Sequence, residues 1–109
     1  MQEEELKEIV ADYLDRHTVF NLATAGREGA HAAPVFYARV NYDLYWFSEP
    51  RTQHSIDIHR GLGCAGAITD NAKDYRDIQG LQLTGVAEAL KEAAETEVGL
   101  SALRAKFDF

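Results

Sequence analysis

The segment from Tyr45 to Ser55 (Tyr-Trp-Phe-Ser-Glu-Pro-Arg-Thr-Gln-His-Ser) gathers more reactive groups than any other stretch of the chain. It holds hydroxyls at Ser48 and Thr52, a guanidinium at Arg51, an amide at Gln53 and an imidazole at His54. Read as a strand end followed by the first turn of a helix, these groups suit an anion. Backbone amides at a helix start attract phosphate, and an arginine offers two parallel donors to it. The same residues also suit an ordinary capped loop that exposes polar groups to water. Residue types alone do not separate the two.

Other motifs carry less chemistry. Gly61-Leu-Gly-Cys-Ala-Gly66 matches G-x-G-x-x-G. A dinucleotide site needs a strand before those glycines and a helix after them. Here a short helix precedes and a strand follows, so the run reads as a helix stop at Gly61 and then small residues where something packs close. Of the four histidines, His54 and His59 stand five apart, roughly 140° around a helix. That is a poor metal pair, and no metal site is expected. Cys64 falls on a buried strand without a basic neighbour, which reads as a small core residue rather than a nucleophile. One cysteine excludes an internal disulfide or a four-cysteine zinc site and fits a reducing compartment.

These groups need elements to position them. Leu6, Ile9, Val10, Tyr13 and Leu14 form one apolar stripe, which predicts a helix over about 3–16. Thr18 to Ala25 reads as a strand, with a turn at Gly26 to Gly29. His31 to Val40 reads as a second strand, where Pro34 belongs at an edge or bulge. Leu44 to Ser48 follows as a short aromatic strand. Thr52 caps a short helix through about Arg60. Cys64 to Thr69 and Leu81 to Leu90 read as further strands, the last one long, with Gly85 as a candidate bulge. Asp70 to Asp77 reads as a polar loop. A helix runs from Lys91 toward Phe107, with Ala93, Leu100, Leu103 and Phe107 on one side, and Gly99 weakens it. Short turns between strands predict a mainly antiparallel sheet of five strands, bent or closed into a small barrel.

The 109 residues predict a single domain (1–109): N-terminal helix about 3–16, barrel about 18–90, C-terminal helix about 91–107. Net charge is −7, the wrong sign for a protein that grips nucleic acid through phosphates. Residues 1–16 carry −4 of it and residues 88–109 carry −2, so the middle is nearly neutral. The start has no basic segment followed by an apolar run, and no apolar stretch approaches a membrane span. The expectation is a cytoplasmic protein with no membrane or nucleic-acid partner.

From about His17 to Leu90 the chain resembles the FMN-binding split barrels related to pyridoxamine-5′-phosphate oxidase. The resemblance lies in an ordered run: Phe20-Asn-Leu-Ala-Thr-Ala-Gly-Arg-Glu-Gly29, Ala33-Pro-Val-Phe-Tyr37, Leu44-Tyr-Trp-Phe-Ser48 and the Arg51-to-His54 helix start. Cys64-Ala-Gly-Ala-Ile68 and Ile78-Gln-Gly-Leu-Gln-Leu-Thr-Gly-Val-Ala-Glu88 complete it. The resemblance implies a mainly β (β+α) fold, a small antiparallel split β-barrel with flanking helices. It implies a homodimer with FMN between the subunits and an oxidoreductase acting on a small-molecule redox substrate. Ala32, Ala33, Pro34 and Val35 would run beside the isoalloxazine ring. Phe47 and Ser48 would follow the ribityl chain. Ser48, Arg51, Thr52, Gln53 and His54 would hold the phosphate, and Gln82 or Gln79 would supply an amide at the ring's polar edge. No side chain is assigned as catalytic acid or base.

This chain departs from the oxidase pattern where Gln53-His54 replaces adjacent arginine and lysine. It also stops at Phe109, before the further strand that carries the oxidase's substrate-phosphate residues. Oxidation of pyridoxamine phosphate itself is therefore not expected. The competing expectations keep the fold and change the ligand: haem, through His31 or His54, or a deazaflavin. A further alternative is a non-enzymatic dimeric module with a vestigial groove.

Overall fold

Helix α1 (Glu3–Arg16) forms where the stripe predicts it, with three glutamates in the first turn at the positive end of its dipole. It is followed by β1 (Val19–Gly26), β2 (Gly29–Val40) and β3 (Asp43–Trp46). Then come α2 (Gln53–His59), β4 (Cys64–Thr69), β5 (Gly80–Gly85) and α3 (Ala93–Lys106). The computed structural model describes residues 2–49, 51–59 and 63–108, and Gly61 of the glycine motif lies outside them. The strands are ordered β3-β2-β1-β4-β5 in one five-stranded antiparallel sheet. No described helix is long and apolar enough to cross a membrane. The chain clusters into two units, one of residues 1–18, 36–47 and 90–109, the other of 19–35 and 48–89.

In the first unit, α1, the end of β2, β3 and α3 pack around Tyr37, which is 0% exposed. The Tyr37 hydroxyl donates to the Leu14 carbonyl at 2.6 Å, and Lys106 Nζ donates to the same oxygen at 3.1 Å. Leu14 is in the last turn of α1, where carbonyls have no helical partner. Both side chains therefore cap that helix, and the Lys106 ammonium also sits 4.0 Å from the centre of the Tyr37 ring. His17 Nδ1 donates to the Tyr13 carbonyl at 2.7 Å, and its ring stacks on that of Tyr13. Arg39 forks onto Asp15 through Nε and Nη2, at 2.9 and 2.8 Å, which holds the Asp15 carboxyl below the usual range. Burial pulls Lys106 below its ordinary value.

The apolar stripe of α1 is only half used. Tyr13 and Leu14 are buried, but Leu6 and Ile9 are 51% and 52% exposed. Gly99, expected to weaken α3, has a packing reason. It is buried, and a Cβ there would lie 2.8 Å from Tyr45 Cδ1. Helix propensity alone would make Gly99→Ala stabilising by about 1 kcal/mol. The contact reverses that sign: the variant is expected to lose about 1 kcal/mol or more in urea denaturation. A gain would show that Tyr45 yields freely.

In the second unit β4 pairs antiparallel with β1 (Leu22 opposite Gly66) and with β5 (Ile68 opposite Leu81). Phe20, Leu22 and Thr24 alternate inward along β1. Gly66 is small because a Cβ there would press on the Phe20 ring. The last strand is shorter than expected. Gly85 pairs with Cys64, the first residue of β4, and residues 86–90 lie outside the strand. Gly85 is thus a strand end, not a bulge. The Asp70–Asp77 loop contains a 3₁₀ turn at Tyr75–Asp77, where Asp74 accepts from the Arg76 amide at 3.0 Å. β3 covers only Tyr37–Val40 of β2, so Pro34 lies where β3 asks for no N–H.

Candidate functional site

β3 ends at Trp46, not at Ser48, because its pairing with β2 stops at Tyr37 opposite Trp46. Phe47 is therefore past the strand, and 57% exposed. Ser48 opens the segment that leads into α2. The chain turns back at Glu49, whose carbonyl accepts the Thr52 amide at 3.0 Å and the Thr52 hydroxyl at 2.8 Å. Thr52 starts α2 through its own carbonyl, which takes the Ile56 amide at 3.0 Å. Its hydroxyl faces back toward Glu49 rather than capping the helix as expected.

This geometry draws three of the expected phosphate residues together. His54 Nε2 lies 2.9 Å from Ser48 Oγ and 3.3 Å from Thr52 Oγ1. Ser55 Oγ joins the cluster, 2.9 Å from Thr52 Oγ1. All four side chains are half-buried. Arg51 stands apart, 90% exposed, with Nε 3.4 Å from Glu49 Oε1. An exposed pair at that distance contributes little, so the guanidinium is free to turn to another anion. Gln53 is used differently. Its amide Nε2 donates to Asp57 Oδ1 at 2.9 Å, so it is not drawn into the cluster of Ser48, Thr52 and His54.

Asp57 was not singled out by the sequence. It is 0% exposed, and Thr24 Oγ1 of β1 donates to its Oδ2 at 2.8 Å. Gly26 is shaped by it too, because a Cβ there would collide with the Asp57 carboxylate. A buried carboxylate persists only with such donors. Asp57 thus ties α2 to β1 and fixes the helix that carries His54. Two signals could have found it: the i,i+4 spacing from Gln53, and a polar Thr24 at an inward position of β1.

The remaining expected ligands lie on strands. Along β2, Ala32 and Pro34 are exposed, Ala33 is half-buried, and the Val35 side chain is buried in the core. Gln82 is exposed on β5 opposite Ala67, and Gln79 is exposed just before that strand. His31, one residue before Ala32, has its Nε2 buried with no hydrogen-bond partner. An orphaned polar atom of this kind costs about 1–3 kcal/mol unless something satisfies it. No group of three or more metal-capable side chains occurs among the described residues. Cys64 directs its thiol at the Gly85 carbonyl, 3.7 Å away, and burial pushes the thiol up, away from reactivity.

The architecture defines the class: a small antiparallel split barrel of the β+α type. A solved structure of the same fold is the crystal structure of the conserved hypothetical protein Rv2991 from Mycobacterium tuberculosis. It matches with a TM-score of 0.81 at 21% identity over 99% of this chain. The chain spans 65% of the length of that protein. No protein-family model and no curated protein matches the chain.

Proposed function

We propose that the chain is an FMN-binding flavoprotein of the pyridoxamine-5′-phosphate oxidase-like family, a homodimeric oxidoreductase acting on a small-molecule redox substrate. One observation carries the reading: in a split barrel, Ser48, Thr52 and His54 converge where the resemblance expects a phosphate. Arg51 is free to add charge. The residues fit the group in a second respect, because the orphaned His31 Nε2 adjoins the β2 segment expected beside the ring. Exposed Leu6 and Ile9 on α1, and Phe36 on β2, supply apolar surface that a second copy would cover.

In this reading the bound isoalloxazine supplies the electron transfer. The protein's own residues bind and orient. Ser48, Thr52 and His54 hold the phosphate, Arg51 adds a charge-assisted contact, and the backbone of Ala32 to Val35 lies along the ring. Gln82 provides an amide and Asp57 keeps α2 in place. Gln53 has no part in the phosphate contact.

A second reading, a haem site, is favoured by the same orphaned nitrogen of His31. His54 is the weaker candidate, since its Nε2 is engaged with Ser48 and Thr52. The absorption spectrum of purified protein separates the readings. Flavin bands that sharpen on adding FMN, with a rise in Tm, are the expected result. A Soret band would move the proposal to haem, and a colourless protein indifferent to FMN would leave a binding module without flavin.

A further inference from the structure

The two edges of the sheet are not alike. β3 is four residues long, starts with a charge at Asp43, and is backed by α3, whose Gly99 packs on Tyr45. β5 is the other edge, and among the described residues no strand lies on its far side. Natural proteins blunt an open edge with a charge, a proline or a bulge. The run Ile78-Gln-Gly-Leu-Gln-Leu-Thr-Gly-Val86 has no charge and no proline. Its ladder from Gly80 to Gly85 pairs residue for residue with β4, without a bulge. Gly80, Gln82 and Thr84 are exposed on one face, and Leu81 and Leu83 on the other are only half-buried. Two large apolar side chains continue the exposed row past both ends of the strand. Ile78 is 63% exposed on extended backbone, and Val86 is 88% exposed. Each stands four residues from Gln82.

We propose, resting on the homodimer of the reading above, that β5 pairs antiparallel with β5 of a second copy about a two-fold axis at Gln82. The run is matched to itself in that register. A two-fold contact sets residue i against residue j and j against i. Leu81 of one copy then faces Leu83 of the other, Gly80 faces Thr84, and Ile78 faces Val86. No charge meets its like along the nine residues, and each half-buried leucine gains an apolar neighbour. Neighbouring registers lose this match. An axis at Leu83 would set Ile78 against Glu88, and one at Leu81 would set Val86 against Arg76. Pairing at Gln82 continues the sheet across the subunits and closes the open edge of both. It also puts the Gln82 amide at the seam, where a ligand held between subunits would meet it.

The test uses the full chain without flavin. Ile78→Lys with Val86→Lys sets like charges opposite each other across the seam, twice. Ile78→Lys with Val86→Glu sets opposite charges there. Within one copy the two positions are about 26 Å apart along an extended strand, so only a contact between copies tells the variants apart. Both side chains are exposed, and both variants should match the wild type in urea denaturation. In analytical ultracentrifugation the Lys–Glu variant is expected to dimerise about tenfold more tightly than the Lys–Lys variant, or better. Equal dissociation constants overturn the pairing and leave the homodimer standing on another surface. A wild type that stays monomeric overturns both, and leaves the edge to a strand of some other protein. A covalent check reads the register. In a Cys64→Ser background, Gln82→Cys should form a disulfide with its own copy on oxidation, whereas Thr84→Cys, set opposite Gly80, should not. The reverse pattern overturns the axis at Gln82.

Discussion

Replacing Tyr37 with alanine is expected to remove about 3–5 kcal/mol of stability in urea denaturation. The ring is wholly buried among α1, β3 and α3, and its loss leaves a cavity that those elements cannot close without moving. The change also removes the hydroxyl that caps Leu14 and the face on which the Lys106 ammonium rests. A protein of this size has about 5–15 kcal/mol in total, so the variant should unfold well below the wild-type temperature. Tyr37→Phe isolates the hydroxyl and should cost about 1–2 kcal/mol. It also has a pH signature. Burial, with the Asp15 and Tyr13 charges behind it, pushes the Tyr37 phenol up from 10.0 to about 12. A raised phenol favours the folded state fully below pH 10 and loses that effect as pH rises toward 12. The wild type should therefore lose stability faster than Tyr37→Phe across that window. Parallel alkaline curves for the two proteins would contradict this placement of the ring.

The second large effect is at Asp57. Asp57→Leu leaves the buried Thr24 hydroxyl and the half-buried Gln53 amide without their acceptor. The buried donor costs about 1–3 kcal/mol and the half-buried one, which water can reach, less, so about 2–4 kcal/mol is expected in all. Asp57→Asn should cost far less, about 1 kcal/mol. Its carbonyl can still accept from Gln53, and its amide can donate to Thr24, whose hydroxyl can reverse. The pair also reads on function. If the chain binds FMN as proposed, Asp57→Asn should keep that affinity within about twofold, since it preserves the tie from α2 to β1, whereas the leucine variant should lose affinity along with stability. Equal stability of the two variants would mean that the buried carboxylate has no structural role.

The fold was largely legible from periodicity. The stripe from Leu6 to Leu14 located α1, and the Cys64–Thr69 run matched β4 residue for residue. What sequence could not supply was partner length. The Leu81–Leu90 run has strand character throughout, yet β5 stops at Gly85, opposite Cys64, the first residue of β4. The same limit ends β3 at Trp46, so Phe47 and Ser48 lie past the strand. Propensity misjudged Gly99, since the reason for a glycine there is the Tyr45 ring, distant in sequence. The stripe of α1 carried no information on coverage, and Leu6 and Ile9 remain exposed.

The candidate site was legible in part for the same reason. Ser48, Thr52 and His54 are close in sequence, so a single turn brings them together, as their spacing allowed; the phosphate role is what the resemblance implies. The engagement of Gln53 with Asp57 was not legible, because Asp57 is pinned from the far side by Thr24, a contact 33 residues away along the chain. The acid excess lies at the two ends of the chain, while the site itself presents hydroxyls, an imidazole and Arg51.

The most direct measurement of the central claim is a paired titration of the purified chain with FMN and riboflavin, followed by flavin fluorescence. The two ligands share the ring and ribityl chain and differ by the phosphate alone. If the Ser48–Thr52–His54 cluster holds that phosphate, FMN should bind about 10- to 100-fold more tightly, the worth of one or two charge-assisted hydrogen bonds. Equal affinities, or no binding of either flavin, would contradict the account.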